Sequence, residues 1–94
     1  LYDHDDDTVR GLLARAHAAL PEGGRLIVSE PMSGGARPDP VTDVYFAFYT
    51  MAMGTGRTRS AEAIAALCRA AGFRQARQVP TRRSYVTSVV AAVK

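Results

Sequence analysis

"PEGGRLIVSE", residues 21–30, decides how the chain is to be read. Pro21, Gly23 and Gly24 stop whatever precedes them, and Leu26, Ile27 and Val28 then run together without polar alternation. That pattern marks a strand covered on both faces. Just upstream, Val9, Leu12, Leu13, Ala16 and Leu20 recur at helical spacing. Asp5 or Asp6 is the candidate N-cap, with further acid in the first turn, where the helix dipole favours it. A helix over 6–20 therefore feeds a central strand over 25–30.

Downstream of that strand, "PMSGGARPDP" (31–40) carries too many breakers for regular structure and is expected to be a loop. Thr42 or Asp43 then caps "VYFAFYTMAM" (44–53), a helix apolar nearly all round. Such a helix must meet a ligand or a partner chain besides its own small core. "GTGRTR" breaks it, and Ser60 caps a third helix over 61–71 carrying Ile64, Leu67, Cys68 and Ala71. Gly72 stands where a left-handed C-terminal residue is wanted. "RQARQV" (74–79) is polar enough for an edge strand ended by Pro80, whereas "SYVTSVVAAV" (84–93) is β-branched and apolar, as expected of a more central one. The expected architecture is an α/β layer of three helices and a short sheet.

Ninety-four residues make at most one small domain. The net charge of +3 is unevenly spread: Asp3, Asp5, Asp6 and Asp7 open the chain, while residues 57–83 hold seven arginines against Glu62 alone. Without interleaved aromatics or a binding motif, those arginines are read as solvated edge and helix faces and not as a nucleic-acid surface. His17, on a charged helix face, is likewise read as solvated. Cys68 is the single cysteine and falls at an apolar helical position, so it is expected to be a reduced core thiol. His4 with its neighbouring aspartates has ligand types for a metal, but adjacent aspartates at a helix start diverge, and no metal site is expected. No apolar run approaches the ~18 residues of a membrane span. The sequence starts without methionine, inside a structured stretch, which raises the expectation of a fragment.

"LYDHDDD", "ALPEGGRLIVSEPM", "GTGRTRSAEAIAALCRAAGF" and "TSVVAAV" resemble, in order and spacing, the last third of S-adenosylmethionine-dependent O-methyltransferases of the plant caffeate type and their bacterial relatives. "YDHDD", "SEPMSGGARPD" and "DVYFAFYTMAMGTGR" are most similar to the bacterial carotenoid branch, the hydroxyneurosporene and demethylspheroidene O-methyltransferases. The resemblance implies a Rossmann-like sheet of order 3-2-1-4-5-7-6 with an antiparallel last strand, of which this chain supplies strands 5-7-6. It also implies methyl transfer to a carotenoid hydroxyl, or to another small hydroxylated or phenolic metabolite. The whole chain, 1–94, would be the C-terminal segment of the catalytic domain, with the glycine-rich cofactor loop and the N-terminal dimerisation domain outside it. A cytoplasmic homodimer is implied, touching a membrane peripherally where a carotenoid would be met. Alone, the segment is expected to be inactive and to bind S-adenosylmethionine poorly. The competing reading is a non-catalytic α/β module whose bare strand edge and apolar helix associate with another copy.

In the family a histidine follows strand four and takes the acceptor's proton. At that position this sequence has Tyr2, and His4 stands where the family tryptophan packs near the adenine. Glu30 matches the first of two family carboxylates, while the second aligns with Thr58. The resemblance thus makes Tyr2, His4 and Glu30 the candidate catalytic residues and Asp3 and His4 the candidate cofactor contacts. Met32, Phe46, Tyr49 and Met53 are candidates for an apolar substrate. An aliphatic alcohol is far less acidic than a phenol near pKa ~10, so base strength matters less here than positioning. Methyl transfer would then rest mainly on proximity, with Tyr2 or His4 orienting the hydroxyl and accepting its proton late.

Overall fold

The computed structural model describes residues 1–33, 58–80 and 87–94. Within them the order is α1 (Asp6–Ala19), β1 (Arg25–Ser33), β2 (Arg59–Ser60), α2 (Ala61–Ala70), β3 (Arg74–Val79) and β4 (Thr87–Val93). The expected helix over 44–53 lies outside the described residues, as do residues 84–86 of the last expected strand.

The four strands form one mixed sheet in the order β2-β1-β4-β3. β4 runs antiparallel to both of its neighbours, from Arg25↔Val93 to Pro31↔Thr87 on one side and from Arg74↔Val93 to Val79↔Val89 on the other. The β-branched last strand is thus interior, and polar β3 is an edge. A register shift between Arg74 and Arg77 coincides with Gln75 at φ 54°, a bulge that bends the edge strand.

Two expectations for β1 are corrected. The strand does not stop at Glu30 but continues through Pro31 to Ser33, because it changes partner: β4 pairs as far as Pro31, and β2 pairs in parallel at Met32↔Arg59 and Ser33↔Ser60. A proline lacks a ladder N–H and is tolerated where pairing changes hands. Nor is β1 covered on both faces here. Val28, Glu30 and Met32 are buried, whereas Ile27 is 59% exposed. α1 and α2 touch each other and share one packed core with Val28, Val90, Ala92 and Ala76, leaving Arg25, Ile27 and Ser29 of β1 exposed among the described residues.

The helix ends follow local chemistry. Asp5 caps α1, its carboxylate accepting from the Thr8 N–H at 2.8 Å. Ser60 caps α2, its hydroxyl accepting from the Ala63 N–H at 3.1 Å. α2 ends in a Schellman arrangement: Gly72 at φ 104° donates to the Arg69 carbonyl, and Phe73 to that of Cys68. Phe73 then packs into the core beside Ile64, Cys68, Val9 and Leu13. Each such aliphatic side chain contributes about 1.5–3 kcal/mol by leaving water. His17, expected to be solvated, is half-buried instead, its ring edge-on to Phe73 with centroids 5.0 Å apart. Among the described residues no helix is long and apolar enough to cross a membrane.

Candidate active site

The carboxyl end of β1 is where the candidate residues converge, as expected for ligand sites of open α/β sheets. Residues 1–4 form a tight turn there, closed by the His4 N–H donating to the Leu1 carbonyl at 3.0 Å. The Leu1 nitrogen donates to Glu30 Oε1 at 2.7 Å. Tyr2 and Asp3 are half-buried in that turn, and His4 is exposed. Met32, two residues beyond Glu30 on the same face, is buried. Tyr2, Asp3, His4, Glu30 and Met32 therefore gather at one end of the sheet. Phe46, Tyr49 and Met53 lie outside the described residues.

Glu30 is only 6% exposed, and its Oε2 has no hydrogen-bond partner among the described residues. The same holds for Thr58 Oγ1. Both positions that resemble the family's carboxylates thus present a desolvated oxygen, and an unmade hydrogen bond of this kind costs about 1–3 kcal/mol. A ligand hydroxyl or amine would satisfy them. The turn also carries an ordinary helix start: the Thr8 backbone N–H and then its hydroxyl hold the Asp5 carboxyl below its usual range. Among the described residues no three His, Cys, Asp or Glu side chains come together in a metal-holding group.

One residue of this region was missed by the sequence reading. Arg59 was grouped with the solvated arginines, yet it is 2% exposed. Its Nε and Nη2 donate to Asp6 Oδ1 at 2.9 and 2.7 Å, Nη1 donates to the Leu1 carbonyl at 3.1 Å, and Nη2 donates to the His4 carbonyl at 2.9 Å. A buried guanidinium needs such a set of acceptors to offset its desolvation. The only sequence signal was charge complementarity between the acidic opening and "RTR", which says nothing about which arginine is buried.

Residues 1–74 match the model of the O-methyltransferase domain family. The demethylspheroidene O-methyltransferase of Rhodobacter capsulatus is 59% identical over 92 residues, 98% of this chain and 23% of the relative. The protein of the same name from Cereibacter sphaeroides is 56% identical over 94 residues, 100% of this chain and 25% of the relative. The crystal structure of human N-acetylserotonin methyltransferase in complex with S-adenosylmethionine superposes with a TM-score of 0.88 at 23% identity, over 100% of this chain and 27% of that one, a likeness of fold alone. The chain spans about a quarter of the length of the curated relatives it matches.

Proposed function

Because this chain belongs to the O-methyltransferase domain family, we propose that the whole protein transfers a methyl group from S-adenosylmethionine to a hydroxyl of a carotenoid intermediate. The observation that carries the reading is identity of 56–59% along the whole chain to two relatives bearing a carotenoid O-methyltransferase name. In this reading β1, β4 and β3 are strands five, seven and six of a larger sheet, and the main cofactor cradle lies outside residues 1–94.

S-adenosylmethionine supplies, when bound, a methyl group on a sulfonium that is given up to an attacking oxygen. The residues of this chain do the rest. The unpartnered Glu30 Oε2 accepts a hydrogen bond from a donor on cofactor or substrate, strengthened by its dry surroundings. Tyr2 or His4, at the adjoining turn, orients the acceptor hydroxyl, whose proton passes to the imidazole nitrogen of His4 or to Tyr2 as its phenolate while the new carbon–oxygen bond forms and the methyl–sulfur bond breaks. Met32, buried beside Glu30, is assigned to the wall behind a long apolar substrate, where its polarisable side chain packs from within. Asp3 and His4, in the same turn, are assigned to contact with the cofactor. We further assign the whole protein a homodimeric state and peripheral contact with a membrane, where its substrate would partition.

The test is to incubate the intact protein with methyl-labelled S-adenosylmethionine and a panel of hydroxylated carotenoids and small phenols. Label in an ether of a carotenoid is the expected result. Label confined to phenols would replace the acceptor class, and no label in any acceptor would overturn the reading.

A second reading has its own observation: among the described residues, the edge of β1 opposite β4 is paired only at Met32 and Ser33, beside exposed Ile27. An open edge of this kind recruits another strand. It makes residues 1–94 a self-associating module, and equilibrium sedimentation showing a clean monomer at high concentration would count against it.

A further inference from the structure

We propose that Arg59 is the positioning residue of this site: its guanidinium holds the turn of residues 1–4 in place, and so sets where Tyr2 and His4 stand relative to Glu30. The inference rests on the methyl-transfer reading for its functional half and on geometry alone for its structural half.

The hydrogen bonds tie the turn to the sheet. The Leu1 carbonyl accepts from Arg59, and Arg59 is the register partner of Met32, two residues along β1 from Glu30. The His4 carbonyl is held by the same guanidinium, so the two ends of the turn that bracket Tyr2 and Asp3 are tied to one rigid planar group. The fork also grips Asp6 in the first turn of α1, which fixes the helix start to the same point. A lone backbone bond, His4 to Leu1, would leave the turn free to rock as a unit. The guanidinium removes that freedom. Lysine, with a compact ammonium on a flexible stem, keeps the charge opposite Asp6 but cannot reach both carbonyls in a fixed plane.

The experiment compares wild type, Arg59→Lys and Asp6→Asn in the intact protein, at a temperature where circular dichroism shows each fully folded. Two readouts are taken: amide hydrogen exchange at His4 and in α2, and steady-state kinetics. Arg59→Lys should speed exchange at His4 by roughly tenfold while leaving the α2 amides unchanged, as local release of the turn requires. It should lower kcat by about tenfold to a hundredfold with the acceptor KM held within about threefold, since misplacement by an ångström is felt in the reaction step. Asp6→Asn, which keeps an acceptor oxygen but not its charge, should move both readouts in the same direction by less, and it carries the test if Arg59→Lys does not fold. Unchanged His4 exchange, or wild-type kcat, in the variant tested overturns the inference. Wild-type protein that transfers no methyl group overturns the functional reading instead, while the exchange data still decide whether Arg59 holds the turn.

Discussion

The rings of His17 and Phe73 meet edge to face, with planes 88° apart, and Gly72 lies beneath them so closely that a Cβ there would come within 3.1 Å of His17 Nε2. Three consecutive demands meet at this corner: a helix must end, an aromatic must enter the core, and the chain must turn into β3. Gly72→Ala violates the first and crowds the second, because a φ of 104° is strained for any side chain. We expect a loss of about 1–3 kcal/mol in urea denaturation. A variant as stable as wild type would show that His17 moves aside and the backbone relaxes.

The cap of α2 gives a smaller, cleaner effect. Ser60→Ala removes the acceptor of the Ala63 N–H and should cost about 1 kcal/mol, with Ser60→Asp close to neutral. Equal losses for both variants would mean that Ser60 acts through packing and not through its hydroxyl.

Cys68 should be chemically silent. Burial pushes its thiol above the ordinary range, so the protonated form persists in the folded protein at pH values where an unfolded chain ionises. Folding stability from this group is intact below about pH 9 and falls as pH rises beyond it, because the unfolded state then releases a proton that the folded state keeps. Cys68→Ala should remove that alkaline decline, and labelling by a thiol reagent should be slow until denaturant is added. Rapid native labelling would contradict the buried placement.

Asp5 acts at the other end of the scale. Its carboxyl is held low by the Thr8 backbone and hydroxyl, so its contribution to α1 is present above about pH 4 and is lost as pH falls through the lowered value. Asp5→Asn keeps a capping oxygen and should flatten the acid limb of a helicity titration. An unchanged acid limb would assign it to other carboxylates.

For the reaction, Tyr2→Phe, His4→Ala and Glu30→Gln should be assayed separately in the intact protein. Glu30→Gln is expected to lower kcat by about a hundredfold, and either Tyr2→Phe or His4→Ala, but not both, by a comparable factor. Full activity in all three would remove this turn from the chemistry.

The helices and strands were legible in residues 6–28 and 60–79 because each signal there is local: Asp5 and Ser60 as caps, Gly72 as terminator, helical spacing around Leu13 and Ile64. The extension of β1 through Pro31 was not legible, since it depends on β2, a two-residue partner remote in sequence and placed in a stretch that reads as a turn. Arg59 was hidden for the same reason. A side chain bonded to residues more than fifty positions away leaves no pattern around itself, and seven arginines of similar context offered no way to choose. Ile27 differs in the opposite sense: its neighbours announce a doubly covered strand, and among the described residues coverage by α1 and α2 reaches one face.

β4 lies between β1 and β3, which do not pair with each other. The ribosome therefore delivers both neighbours of β4 before the strand that joins them. Until Thr87–Val93 emerges, β1 and β3 present unpaired edges with no ladder between them, and the nascent chain depends on that last stretch to become one sheet. A premature stop after Pro80 would not trim a border from this sheet but remove the strand that joins β1 to β3.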